Sequence, residues 1–145
     1  MPALIRGSCH CGNVSFEFAW PGDAMTIPAR RCGCTFCQKH GGVWTSNPAG
    51  ALIVRIARPA QVSRYEFGTA TAEFVVCANC GAVPLVTSRI HDRMYAVVNV
   101  NTFDGVDPDQ VTIVPASFDG EEVGDRLARR ERNWIPDVRM EPGRP

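Results

Sequence analysis

Lysine is almost missing from this sequence: Lys39 stands alone among fifteen basic residues, and the rest are arginine. Anion binding is therefore guanidinium work, which suits bidentate contact with carboxylates. Net charge is missing as well. Fifteen basic and fifteen acidic residues cancel, so no global field pulls the chain toward nucleic acid or an anionic membrane. Long apolar runs are absent, and nothing approaches the ~20 residues of a membrane-spanning helix. The start offers only Ala3-Leu4-Ile5, too short for the core of a secretory signal. The expected setting is cytoplasmic, where thiols stay reduced. With 145 residues, 45% of them hydrophobic, the chain reads as one domain, 1–145, with a modest core.

The chain does carry short β patterns between turns. Val14 to Phe18 alternates, with Val14, Phe16 and Phe18 on one face. Leu52–Ile56, Gln61–Phe67, Thr71–Cys77, Met94–Val100 and Gln110–Val114 read as further strands. Turns are expected at Pro21-Gly22-Asp23, Gly41-Gly42, Asn47 to Gly50 and Asp104 to Pro108. A mainly β architecture follows. One helix is expected, Gly120 to Asn133, capped by Asp119, with Glu121 and Glu122 in its first turn and Val123 and Leu127 on one face. Pro136 stops it, and the tail from Asp137 reads as loosely ordered.

All seven cysteines fall in short clusters: Cys9 and Cys11, then Cys32, Cys34 and Cys37, then Cys77 and Cys80. An odd count in a reducing setting favours metal over disulfides. Cys9 and Cys11 pair with Cys77 and Cys80, since each pair lies beside a strand and is followed by glycine, which accepts the positive φ of a metal-binding turn. Four thiolates make a closed, structural zinc site. A thioredoxin-type redox pair at Cys77 and Cys80 would want a helix next, and Pro84 opposes one. His10, between two ligands, reads as a surface residue.

Cys32, Cys34 and Cys37 form a trio, with Gly33 keeping its first turn tight. Arg30, Arg31 and Lys39 stand near to offset its charge. The trio admits two readings. Either a fourth corner stays open for a thiol, which the metal would hold as thiolate, or His40, His91 or Asp92 closes the site as structure. Iron would suit the same sulfurs, and colour would reveal it.

Gly7-Ser8-Cys9-His10-Cys11-Gly12-Asn13-Val14, Cys32-Gly33-Cys34-Thr35-Phe36-Cys37-Gln38-Lys39 and Phe74 to Gly81 resemble the family of glutathione-dependent formaldehyde-activating enzymes, which includes the centromere protein V domain. The likeness runs from about residue 3 to 118, leaving 119–145 as C-terminal helix and tail. The resemblance implies an Mss4-like, mainly β fold of several small curled antiparallel sheets stapled by zinc. It implies two zinc ions: a structural one on Cys9, Cys11, Cys77 and Cys80, and a catalytic one on Cys32, Cys34 and Cys37. It implies a carbon–sulfur lyase of the S-(hydroxymethyl)glutathione synthase type, joining glutathione to formaldehyde or another small aldehyde. Family members often carry histidine where this chain has Gly33, which bears on the substrate more than on the metal.

His40, His91, Tyr65 or water are candidates to move the proton, and Arg30, Arg31 and Arg89 to hold carboxylates. The competing reading is a non-enzymatic zinc module that binds another protein. It draws on the basic stretch Arg126 to Arg132, whose plain reading is the solvated face of a helix. Zero net charge and the interrupting Glu131 argue against nucleic acid.

Overall fold

A computed structural model describes residues 3–24 and 26–144. Among these residues the strands form two sheets. The smaller runs β10 (Phe103–Asp104), β1 (Ala3–Ser8), β2 (Val14–Trp20), β5 (Ala51–Ile56), β12 (Asp137–Pro142). The larger runs β11 (Val111–Ala116), β3 (Ile27–Cys32), β4 (Val43–Thr45), β9 (Arg93–Asn99), β8 (Leu85–Ile90), β7 (Glu73–Cys77), β6 (Val62–Tyr65). Helix α1 (Thr35–His40) follows β3, and α2 (Val123–Asn133) lies between β11 and β12. The expected mainly β fold with a C-terminal helix is what forms. Pairing is antiparallel except at two edges, where β11 lies parallel to β3 and β12 parallel to β5. Those two pairs join segments far apart in sequence, which no local turn signal announces.

The alternation read in β2 sets the first core. Val14, Phe16 and Phe18 point inward with Leu52 and Val54 of β5, and meet Val75, Leu85, Ala96 and Val98 of the larger sheet. That sheet is buried on both faces. On its other face Val86, Tyr95 and Val97 join Trp44, Trp134 and the half-buried Leu127 of α2 in a second core. Strands covered on both sides lose the polar alternation of a half-exposed sheet, which is why β8 is hard to see in sequence. Burying each large side chain contributes roughly 1.5–3 kcal/mol, so the two cores supply the apolar driving force that packs the layers together.

Three expectations are corrected. Helix α2 begins at Val123, not Gly120. Its N-cap is Glu122, which makes no side-chain cap, and Gly120 instead occupies a turn with φ of +76°. Asp119 is therefore not a cap, Glu121 lies outside the helix, and Val123 is exposed while Leu127 packs inward. The tail from Asp137 is not loose. It forms β12 beside β5, with Val138 and Met140 against the first core and fully buried Ile135 pinned by backbone hydrogen bonds to Ala96. Finally, α1 is a helix that cysteine spacing concealed: Cys34 Sγ accepts the Cys37 N–H in place of the usual capping oxygen, and Gly41 closes it with φ of +80°.

Candidate metal centre and its cavity

The sulfurs of Cys9, Cys11, Cys77 and Cys80 lie within 4.8 Å of one another. Two turns bring them there. Cys9 and Cys11 occupy the β1–β2 turn, and Cys77 and Cys80 the turn after β7. In each turn the first sulfur accepts a backbone N–H, from Val14 at 3.3 Å and from Cys80 at 3.5 Å. Each ends in glycine at positive φ, +84° at Gly12 and +82° at Gly81, as the sequence echo required. Cys11 Sγ stands 3.8 Å from Cys9 Sγ and 3.5 Å from Cys77 Sγ. Sulfurs on a tetrahedral zinc at about 2.3 Å stand about 3.8 Å apart, so this donor set fits zinc. The proton chemistry agrees. Burial pushes the Cys9 thiol up to about 12, while hydrogen bonding from the Asn79 side chain lowers Cys11 to about 6. Without a cation, crowded sulfurs share charge unequally. Asn13, fully enclosed, ties this knot to the chain before β6 through the Arg58 backbone. His10 is exposed, as read.

Cys32, Cys34 and Cys37 also lie within 4.8 Å of one another. Cys32 ends β3, and the other two flank the first turn of α1. Backbone N–H groups of Cys34 and Cys37 donate to the sulfurs of Cys32 and Cys34, at 3.5 and 3.3 Å. The buried Trp44 indole donates its Nε1–H to Cys37 Sγ at 3.4 Å. Hydrogen bonding from Cys37 draws the Cys32 thiol down to about 5, and the same contact pushes Cys37 up. One thiolate shared among three sulfurs is a donor set suited to a soft divalent cation such as zinc. Gly33 is not demanded by space: a Cβ there would meet Ala116 O at 3.5 Å, an ordinary contact.

Among the described residues no fourth side chain joins the trio. His40 is packed between Phe36 and Trp44, with ring centroids at 4.5 and 5.7 Å, and its buried Nε2 has no partner. His91 and Asp92 form the positive-φ tip of the β8–β9 hairpin, where His91 pairs with Glu131 at 3.4 Å. None of the three places a ligand atom in the sulfur group.

A cavity of about 290 Å³ opens beside the trio, between the larger sheet, α2 and the loop from Phe67 to Ala72. Cys32, Cys34 and Cys37 line it, with Trp44, Phe67 and Phe74 as its apolar wall and Arg30, Arg126, Arg129 and Arg130 as its cationic one. Of the arginines read in sequence as carboxylate partners, only Arg30 is present. Arg31 and Arg89 are exposed and line no part of it, and Lys39 is exposed too. Tyr65, His40 and His91 do not line it either; among the described residues Asp119, Thr69 and Thr71 are the oxygen-bearing side chains that do.

The basic stretch on α2, read as a solvated face, turns inward at Arg126, Arg129 and Arg130, while Arg132 stays exposed. The signal was there: spacing of three and four residues puts those arginines on one helical face. Arg129 grips Glu121 with both edges of its carboxylate at 3.1 Å and lies over the Phe118 ring at 3.6 Å.

This arrangement has relatives. Residues 4–117 match the family described as "Glutathione-dependent formaldehyde-activating enzyme". A Halomonas elongata protein named "Putative glutathione-dependent formaldehyde-activating enzyme" is 31% identical over 86 residues, covering 54% of this chain. The match spans about half of that relative's length, 53%. A crystal structure of a Rhodobacter sphaeroides protein is similar with a TM-score of 0.56 and 32% identity, over 76% of this chain and 97% of that one. With the family match running unbroken from the first strand through all three cysteine clusters, the chain belongs to the glutathione-dependent formaldehyde-activating enzyme family.

Proposed function

We propose that the chain is a carbon–sulfur lyase that condenses a small thiol, glutathione in the first instance, with formaldehyde or a similarly small aldehyde. One observation carries this reading: three convergent sulfurs, joined by no fourth side chain among the described residues, on the wall of a cavity of about 290 Å³. Zinc on Cys32, Cys34 and Cys37 would hold an incoming sulfur as thiolate near neutral pH and polarise what lies beside it. A second zinc on Cys9, Cys11, Cys77 and Cys80 has a structural part only.

In the reaction the thiol sulfur bonds to the carbonyl carbon and the C=O π pair moves to oxygen. The thiol proton ends on that oxygen, giving the hemithioacetal with nothing oxidised or reduced. The protein's share is orientation. Trp44 and the backbone N–H groups of Cys34 and Cys37 fix the three sulfurs. Phe67 and Phe74 keep water from the aldehyde, and Asp119, Thr69, Thr71 or water among them relays the proton.

The binding-module reading is weakened, because three of the four basic residues it invoked, Arg126, Arg129 and Arg130, line the cavity, leaving Arg132 exposed. The deciding measurement is two-dimensional exchange NMR on glutathione and formaldehyde with the metal-loaded protein. Exchange faster than the spontaneous rate supports the lyase reading; a spontaneous rate with metal present sinks it for this substrate pair.

A further inference from the structure

Arg130 is the one charged side chain buried among the described residues, at 6% exposure, and it lines the cavity that holds the sulfur trio. Its hydrogen bonds all leave from Nη1: to Thr71 O at 3.1 Å, Thr71 Oγ1 at 2.9 Å and Ser88 Oγ at 3.1 Å. All three acceptors are neutral. Nε is buried without an acceptor, and among the described residues no carboxylate pairs with this guanidinium. Trp134 covers it at 5.0 Å. Arg126, on the same wall, donates Nη2 to Phe118 O at 2.9 Å, while its buried Nε makes no hydrogen bond and stands 3.8 Å from Glu121 Oε1. Arg30 adds a third guanidinium, which donates to Ser46 Oγ at 3.2 Å, and among the described residues no carboxylate pairs with it. Two carboxylates stand near the four guanidinium groups of this wall: Glu121, held by Arg129 and 3.8 Å from Arg126 Nε, and Asp119, which among the described residues is the one acid lining the cavity; neither hydrogen-bonds Arg130.

Burial of a cation that no carboxylate hydrogen-bonds is costly. Here burial, then the neighbouring Arg129 and Arg126, pull the Arg130 guanidinium down to about 10, against a smaller opposing pull from Glu121. A planar anion entering the cavity would supply both the missing charge and the missing acceptors. Two N–H groups remain side by side on the Nε–Nη2 edge, and that spacing matches the two oxygens of a carboxylate.

We propose that this edge of Arg130, with Arg126 and Arg30 adding charge, is a carboxylate site, so that Arg130 is the residue that selects, by its carboxylate, the thiol admitted beside the sulfur trio. The proposal rests on the reading that a thiol enters this cavity. It assigns the selection to α2, which lies beyond the residues matching the family. Substrate choice is then a property of this chain's own C-terminal segment.

The test compares N-acetylcysteine with its neutral amide, titrated into zinc-loaded protein without aldehyde and followed by tryptophan fluorescence and calorimetry. The wild type should bind the acid about tenfold tighter or more than the amide. Arg130→Gln should bring the two within about twofold by weakening the acid alone. A merely structural role for Arg130 would weaken both ligands together. If Arg130→Gln does not fold, Arg130→Lys decides. It keeps a charge but lacks the two-donor edge, and it should cut the preference at least about threefold.

Equal binding of acid and amide by the wild type overturns the proposal, as does an unchanged preference in the Arg130 variants. Exchange of glutathione with formaldehyde without any acid preference removes the carboxylate site and leaves the lyase reading standing. Acid preference lost in Arg130→Gln, in a protein that never speeds exchange, does the reverse.

Discussion

The four-sulfur knot ties Cys11 to Cys77 across 66 residues, whereas the sulfur trio closes within one short turn of chain. Both use backbone N–H groups aimed at sulfur, yet their surroundings differ. Cys9 and Cys77 belong to the first core, packed with Phe16 and Val75. The trio borders the second core and the cavity. A crosslink over a long loop restricts the unfolded chain far more than one over a few residues. Sequence separation and burial thus suit the long-range knot to stability and leave the local one beside the cavity, the division of labour proposed above.

The sharpest way to break this comparison is one serine in each knot. Cys77→Ser should cost more than about 4 kcal/mol, because a metal bound there would also contribute folding free energy. It should appear as loss of the cooperative melt by circular dichroism. Cys34→Ser should lose one equivalent of zinc and all exchange above the spontaneous rate, while its melting midpoint stays within about 5 °C of the wild type. If Cys34→Ser unfolds as Cys77→Ser does, the division of labour is wrong.

Cobalt in place of zinc tests which knot has room. Added glutathione should shift the absorption of the wild type, and Cys34→Ser should abolish the shift. His40→Asn should leave the starting spectrum unchanged, since that ring does not reach the sulfurs. A change in the His40→Asn spectrum would make His40 a ligand after all.

A smaller effect is expected in the metal-stripped protein. Cys32, lowered to about 5, keeps its thiolate down to that pH, so its alkylation should persist through neutral pH and fade as pH falls below about 5. Cys11, lowered to about 6, should fade about one pH unit earlier, and Cys9, raised to about 12, should stay slow throughout. Mass spectrometry of iodoacetamide adducts against pH reads all three.

The smallest effect concerns the cavity's cationic wall. Hydrogen bonding from Arg129 holds the Glu121 carboxyl below its ordinary 4.5. A depressed folded pKa gives stability that is present above pH 4.5 and lost as pH falls through the folded value. Glu121→Gln should therefore cost under about 1 kcal/mol at pH 7, and the difference from wild type should vanish in acid melts.

Local signals were legible wherever one face met water or a turn needed glycine. The strand at Val14 to Phe18, the positive φ at Gly12 and Gly81, and the grouping of Cys9 with Cys80 across the chain all follow from spacing and residue type. Other features escaped because their cause is distant. β8 hides its pattern by burial on both faces. β12 exists only because β5 offers an edge, and α1 because a cysteine sulfur caps it.

By itself the sequence determined the mainly β class, the three cysteine clusters and the sulfurs' partition into a set of four and a set of three, since these depend on neighbours a few residues apart and on thiol chemistry. Only the tertiary structure decided which side chains share a cavity. The inward turn of Arg126, Arg129 and Arg130, and the exclusion of His91 and Asp92 from the trio, depend on how α2 and the β8–β9 hairpin pack against the larger sheet. That packing comes from burial of apolar area summed over both cores, which local patterns of charge and spacing do not encode.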